Sequence, residues 1–136
     1  MAARRVFGVT PLRLSLAALS AAVLAANIHA EGRHALIQRA PLAGFTYHAG
    51  PALWPQLREG DTLELALERD NRHDAQAVLV LWQGQKLGYL PAVENGAVAR
   101  ALAAGTPLAA RIGRLRQHAN PRERVLVEVL RPLPAP

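Results

Sequence analysis

The densest run of chemically capable side chains in this 136-residue chain is Glu68-Arg69-Asp70-Asn71-Arg72-His73-Asp74. Such a run could fix a ligand by hydrogen bonds, hold a metal or move a proton. A metal site needs three or four convergent ligands. The five histidines (His29, His34, His48, His73 and His118) include no His-x-x-x-His or comparable pair. The expectation is therefore no cofactor, zinc included. Cysteine is absent, which excludes disulfides, thiolate metal sites and Cys nucleophiles. No serine follows Ser20, no Gly-rich phosphate loop or Gly-x-Ser-x-Gly turn is present, and Lys86 is the single lysine. These absences point to a binding module and away from an enzyme. A plainer role is also open to Asn71 and Asp74: capping a tight loop by accepting backbone N–H groups.

A second concentration of charge is Arg111, Arg114, Arg116, Arg122 and Arg124, which is either a solvated face or a track for a polyanion. The formal charge of the whole chain is +6, but Arg4, Arg5 and Arg13 precede all ten carboxylates, and residues 31–136 alone sum to +3. Residues 59–74 hold six carboxylates against two arginines and make a poor polyanion surface. The scarce aromatics Tyr47, Trp54, Trp82 and Tyr89 either fill core or offer faces for stacking.

The elements that must position these residues read mostly as short strands. His34 to Gln38 is a first strand, and the glycine-bounded Gly44–Gly50 suits a strand end. Pro51 to Gly60 is a loop with a helical turn around Trp54 and Leu57. Thr62 to Glu68 alternates, with Leu63, Leu65 and Leu67 on one face, as a half-buried strand does. Ala77 to Trp82 is continuously apolar, which suits a central strand. Gln83-Gly84-Gln85 turns it into a partner, Lys86 to Leu90. Pro91 to Ala104 reads as the one helix, opened by Pro91, stopped by Gly105, and striped by Val93, Ala97, Val98, Ala101 and Leu102. Leu108 to Leu115 and Val125 to Leu130 complete the strands, and Pro132 to Pro136 is a frayed tail. Five or six short strands with one or two short helices favour a small barrel or strongly bent sheet, which hides strand edges.

Residues 1–30 read as a targeting segment. Arg4 and Arg5 form a positive start, Leu14 to Ala26 is an apolar run broken only by Ser15 and Ser20, and Asn27-Ile28-His29-Ala30 ends in a small residue. Thirteen residues fall short of the ~20 that span a bilayer. The expectation is a cleaved signal and a periplasmic or extracellular domain over residues 31–136, the alternative being an uncleaved N-terminal anchor.

Between the acidic run and residue 91 the sequence resembles the HIRAN domain family. The resemblance rests on Asn71, His73, Asp74, Ala77 and Val78, on Lys86-Leu87-Gly88-Tyr89-Leu90-Pro91, and upstream on Gly44, Tyr47 and Gly50. It extends over about residues 34–131. It implies a small β-barrel related to the oligonucleotide-binding (OB-like) and SH3-like barrels. It also implies binding of nucleic acid, in the best-understood member type the 3′ end of single-stranded DNA. Under the same resemblance Tyr47 and His73 would stack on bases, Asp74 would accept the terminal hydroxyl, and Tyr89 would flank the pocket, with Asn71 and Arg72 in the same loop. Three positions depart from the pattern. Thr46 and Ala92 replace basic residues, and Arg72 replaces a proline. Arg69 and Arg72 are the nearest replacements for the lost charge. The alternative partner is a protein or envelope component reached after export.

Overall fold

The computed structural model describes residues 33–136; the leader expected over residues 1–30 lies outside the described residues. Six antiparallel strands, β1 (His34–Pro41), β2 (Thr62–Glu68), β3 (Ala77–Trp82), β4 (Gln85–Tyr89), β5 (Ala109–Leu115) and β6 (Val125–Pro132), form one sheet in the order β1-β6-β5-β2-β3-β4. Strand β3 is an almost wholly buried apolar run set between β2 and β4, as its composition requires. The β3–β4 turn has two residues, Gln83 and Gly84. Both have positive φ (47° and 75°), the type I′ geometry that matches the twist of the flanking strands.

Strand β2 is where the sheet bends. Its first residues pair with β5 (Thr62 with Arg111, Leu63 with Ala110), and the rest pair with β3 from Glu64 opposite Leu81 to Glu68 opposite Ala77. One strand thus serves two ladders. Trp82 is buried at the bend, and its indole N–H donates to Asp61 Oδ2 at 3.0 Å. Beyond β1 the chain crosses to the far edge. Ala43 bridges Tyr89 through N–H···O bonds of 2.8 and 2.9 Å, and Ala49 N–H donates to the Lys86 carbonyl at 3.0 Å. No full ladder joins β1 to β4, but this bridge curls the sheet into a barrel-like, OB-type shape around Leu42, Phe45, Val78, Val80, Leu87, Leu90, Ile112 and Val127.

On the opposite side, Glu128 of β6 stands between Arg39 of β1 and Arg111 of β5, each its direct register partner. Its buried carboxylate accepts from Arg39 Nε at 3.0 Å and Arg111 Nε at 2.6 Å. Both oxygens of this covered charge on the outer face are therefore met, and the pairing joins three strands in register. Gly113 leaves the room, since a Cβ there would lie 2.7 Å from Glu128 Cγ.

Four expectations change. Strand β1 runs to Pro41 and not only to Gln38. Gly44–Gly50 is not a strand end but a single 3₁₀ turn (Phe45–Tyr47) leading into a four-residue helix, α1 (Gly50–Leu53). Strand β6 runs on to Pro132, and Leu133 N–H still donates to the Arg33 carbonyl at 2.9 Å. The main helix, α2, begins at Gly96 and not at Pro91, and runs to Ala103. Pro91 to Glu94 forms a separate turn, with Glu94 N–H donating to the Pro91 carbonyl, and the Glu94 carbonyl receives Gln38 Nε2 at 2.7 Å. The inward stripe is consequently Val98, Ala99 and Leu102, while Val93 and Ala97 are exposed. The far end follows expectation. Gly105 (φ 73°) donates to the Leu102 carbonyl and Thr106 to that of Ala101, a Schellman stop.

The closing bridge depends on the absence of a side chain at Gly88, where a Cβ would overlap the Ala43 carbonyl oxygen and lie 3.2 Å from Leu42. Gly88→Ala is expected to cost about 2 kcal/mol of unfolding free energy, in the range of overpacked cores with strained hydrogen bonds. Urea denaturation measures it. A loss below about 0.5 kcal/mol would mean that the two edges do not depend on this close approach.

Candidate nucleic-acid interface

The loop between β2 and β3 is built from side chains that accept backbone hydrogens. Asn71 Oδ1 accepts from His73 N–H (2.9 Å) and Asp74 N–H (3.2 Å), and Asp74 Oδ1 accepts from Gln76 N–H (2.8 Å). The capping role open to Asn71 and Asp74 is thus filled. The loop is also tied to its neighbours. Asn71 Nδ2 donates to Glu68 Oε1 at 3.2 Å, and Tyr89 Oη donates to the same oxygen at 2.8 Å. Asp74 Oδ2 accepts from Asn95 Nδ2 at 2.7 Å, and Asn95 is one of two buried polar residues among the described ones.

The result is an open groove of about 420 Å³ whose wall includes Asn71, His73, Asp74 and Tyr89. Four of the six candidate residues therefore share one site. Ala43, Leu90, Pro91, Ala92 and Val93 supply an apolar side, and Arg122 the one cationic side chain. Arg72 is exposed on the loop and does not line the groove. Tyr47 does not line it either. At 87% exposure it is not a core residue, and its turn packs beside the Pro121–Glu123 turn that carries Arg122.

Each carboxylate oxygen of Asp74 has one donor, so a lone-pair direction remains on each for a further donor. The His73 ring has no side-chain partner, and its backbone is held by Asn71. Tyr89 is fixed by its phenol bond and by an edge-on contact with His48, with ring centroids 5.6 Å apart. The Tyr89 hydroxyl is pushed above its ordinary value of 10, chiefly by burial and then by its bond to Glu68. Glu68 is held below its ordinary 4.5, mainly by the Tyr89 bond and secondly by Asn71, with burial opposing. Among the described residues no group of three or more His, Asp or Glu side chains is arranged to hold a metal ion.

Sequence reasoning missed Asn95 and the structural use of Glu68, and it placed Arg122 in a basic patch but not at this groove. Asn95 lay inside a stretch read as helix, and nothing in its neighbours marks it as a buried partner of Asp74. Arg122 lies 48 residues from Asp74 in sequence, and only the β1–β4 closure and the return of β6 bring its turn to the groove.

This topology has counterparts. The HIRAN domain family model matches residues 37–133, and the chain belongs to that family. Membership suggests a small DNA-binding module. The fold is similar to that of a protein from Lactobacillus plantarum (TM-score 0.61, 22% identity, 74% of this chain and 95% of that one). It is also similar to the HIRAN domain of human HLTF (TM-score 0.56, 18% identity, 73% of this chain and 78% of that one). No curated protein matches the chain.

The bond from Tyr89 in the groove's wall to the depressed Glu68 is sensitive to acid. A carboxylate whose folded-state pKa is lowered contributes stability that is in place above its ordinary 4.5 and is lost as pH falls through the lower folded value. Tyr89→Phe removes the largest cause of that lowering. Wild type is expected to exceed this variant in stability by ~1 kcal/mol at neutral pH, and the gap should narrow steadily below about pH 4.5. Thermal melts of both proteins across this range check it. A gap that stays constant to about pH 3 would contradict the linkage.

Proposed function

We propose that this domain binds the 3′ end of a single-stranded nucleic acid, DNA in the first instance, in the groove walled by His73, Asp74 and Tyr89. The observation that carries the reading is Asp74. Its carboxylate lies in the groove wall, is oriented by Gln76 and Asn95, and keeps acceptor capacity on both oxygens. A terminal hydroxyl can donate to such a carboxylate, whereas a further phosphate would meet like charge at short range. His73 supplies a free aromatic face, Val93 and Pro91 an apolar wall for a base, and Arg122 a cation for the adjoining phosphate. The solvent-exposed Tyr47 is a second stacking face, outside the groove itself.

The domain's task is binding and not catalysis, and it needs no cofactor. The order of charge and apolar residues in positions 1–30 supports a site of action outside the cytoplasm.

The test is binding of the full chain to a short DNA strand with a free 3′ hydroxyl, beside the same strand carrying a 3′ phosphate. The hydroxyl form is expected to bind at least about tenfold more tightly, a difference of ~1.4 kcal/mol. His73→Ala is expected to weaken binding by ~1–3 kcal/mol, the range for one base–aromatic stack, with the melting temperature unchanged because the ring has no partner. Equal binding of the two strands would remove the role given to Asp74. No binding of either at low salt would direct attention to a protein partner.

A further inference from the structure

A second groove, of about 310 Å³, adjoins the first. Arg114, Arg116 and Arg122 line it together with Leu126 and Glu123. Arg122 belongs to both grooves, so the two meet at a single side chain. Neither Arg114 nor Arg122 is in an ion pair among the described residues, and both are exposed. Arg116 is paired with Glu123, which neutralises the one carboxylate along this path. The backbone beneath Arg122 is fixed: its N–H donates to Asn120 Oδ1 at 3.1 Å, with Pro121 opening the turn. The free cations are therefore presented from a held surface and not from a loose loop.

Two other grooves could extend the end site, and both are poorer continuations. One, between Arg69 and Arg100, shares no lining residue with the end groove, and Glu68 and Asp70 flank Arg69 in sequence. The other, beside Trp54, also shares none, and its Arg124 is occupied by the His118 carbonyl at 2.8 Å.

We infer that the Arg114–Arg122 groove is a phosphate track that holds the strand behind its bound 3′ end, Arg122 taking the phosphate nearest the end and Arg114 the next. The inference rests on the end-binding reading and adds the strand's direction of exit and the residues that hold it.

The experiment compares a dinucleotide with an octanucleotide, both of deoxythymidine with a free 3′ hydroxyl, titrated against the full chain over a range of salt. The octanucleotide is expected to bind more tightly and with a steeper dependence of log affinity on log salt. Arg114→Ala should lower that slope by ~0.7, one phosphate on a single strand, and leave dinucleotide binding unchanged. Arg114→Lys should restore the slope, and the double variant Arg69→Ala/Arg100→Ala should leave both ligands unaffected. The track is overturned if Arg114→Ala leaves the octanucleotide slope intact, or if the Arg69/Arg100 variant removes the gain with length. These results differ from failure of the end-binding reading, which would show as equal binding of 3′-hydroxyl and 3′-phosphate octanucleotides while the Arg114 effect persists.

Discussion

The fold turns on the approach of two sheet edges at Ala43 and Tyr89. Strands β1 and β4 are the ends of an open six-stranded order, and each would otherwise present unpaired backbone groups. Two hydrogen bonds between Ala43, just beyond β1, and Tyr89 satisfy part of the β4 edge and convert a sheet into a barrel-like shell. Gly88 permits this approach because it places no carbon against the Ala43 carbonyl. The groove is a direct product of the same closure. Ala43 and Tyr89 are both in its wall, and the chain that follows Tyr89 provides Leu90, Pro91 and Val93 on its apolar side. A flat sheet of the same strands would have no such concavity.

Within that frame, the structural and binding roles of the polar loop are compatible. Asn71 uses its carbonyl oxygen to cap His73 and Asp74 and its amide to reach Glu68, so its hydrogen-bonding capacity is largely spent on shape. Asp74 spends only part of its own: two donors are present where a carboxylate offers about four acceptor directions. Asn95, a buried residue, fixes the carboxylate's orientation and at the same time stands at the N-cap of α2, its carbonyl accepting from Ala99 N–H at 2.8 Å. Orienting a ligand-facing carboxylate with a buried partner is how a site gains preorganisation without losing its outward lone pairs.

Most of the strands were legible because their signals are local. The alternation of Leu63, Leu65 and Leu67, the apolar run of β3 and the Gln83-Gly84 turn each act within a few residues. The clustering of Asn71, His73 and Asp74 was legible for the same reason, and the family resemblance added Tyr89. The start of α2 was not legible, since Pro91 and Glu94 are sound first-turn residues. The competing signal there is tertiary: Gln38 of β1 takes the Glu94 carbonyl, which in a helix from Pro91 would accept from Val98 N–H. The place of Arg122 at the groove escaped for a related reason. Five arginines over residues 111–124 read alike in sequence, but Arg111 is committed to Glu128, Arg116 to Glu123 and Arg124 to the His118 carbonyl. Only the structure separates the two that remain free from the three that do not.

That separation also resolves the charge balance. A net charge of +3 on residues 31–136 is a feeble attraction for a polyanion when spread evenly. Here it is not even: six carboxylates lie within residues 59–74 and five arginines within residues 111–124, and the groove takes Asp74 from the first set and Arg122 from the second. The acidic side disfavours any strand that would run on past Asp74 with another phosphate. The basic side favours a strand that leaves by way of Arg122. A ligand with one uncharged terminus and a charged remainder matches that gradient in a single orientation, whereas an internal stretch of backbone, charged in both directions, does not. Under the end-binding proposal, the acidity of the β2–β3 loop, which by itself argues against nucleic acid, would serve to discriminate ends, with Arg122 lining the same groove.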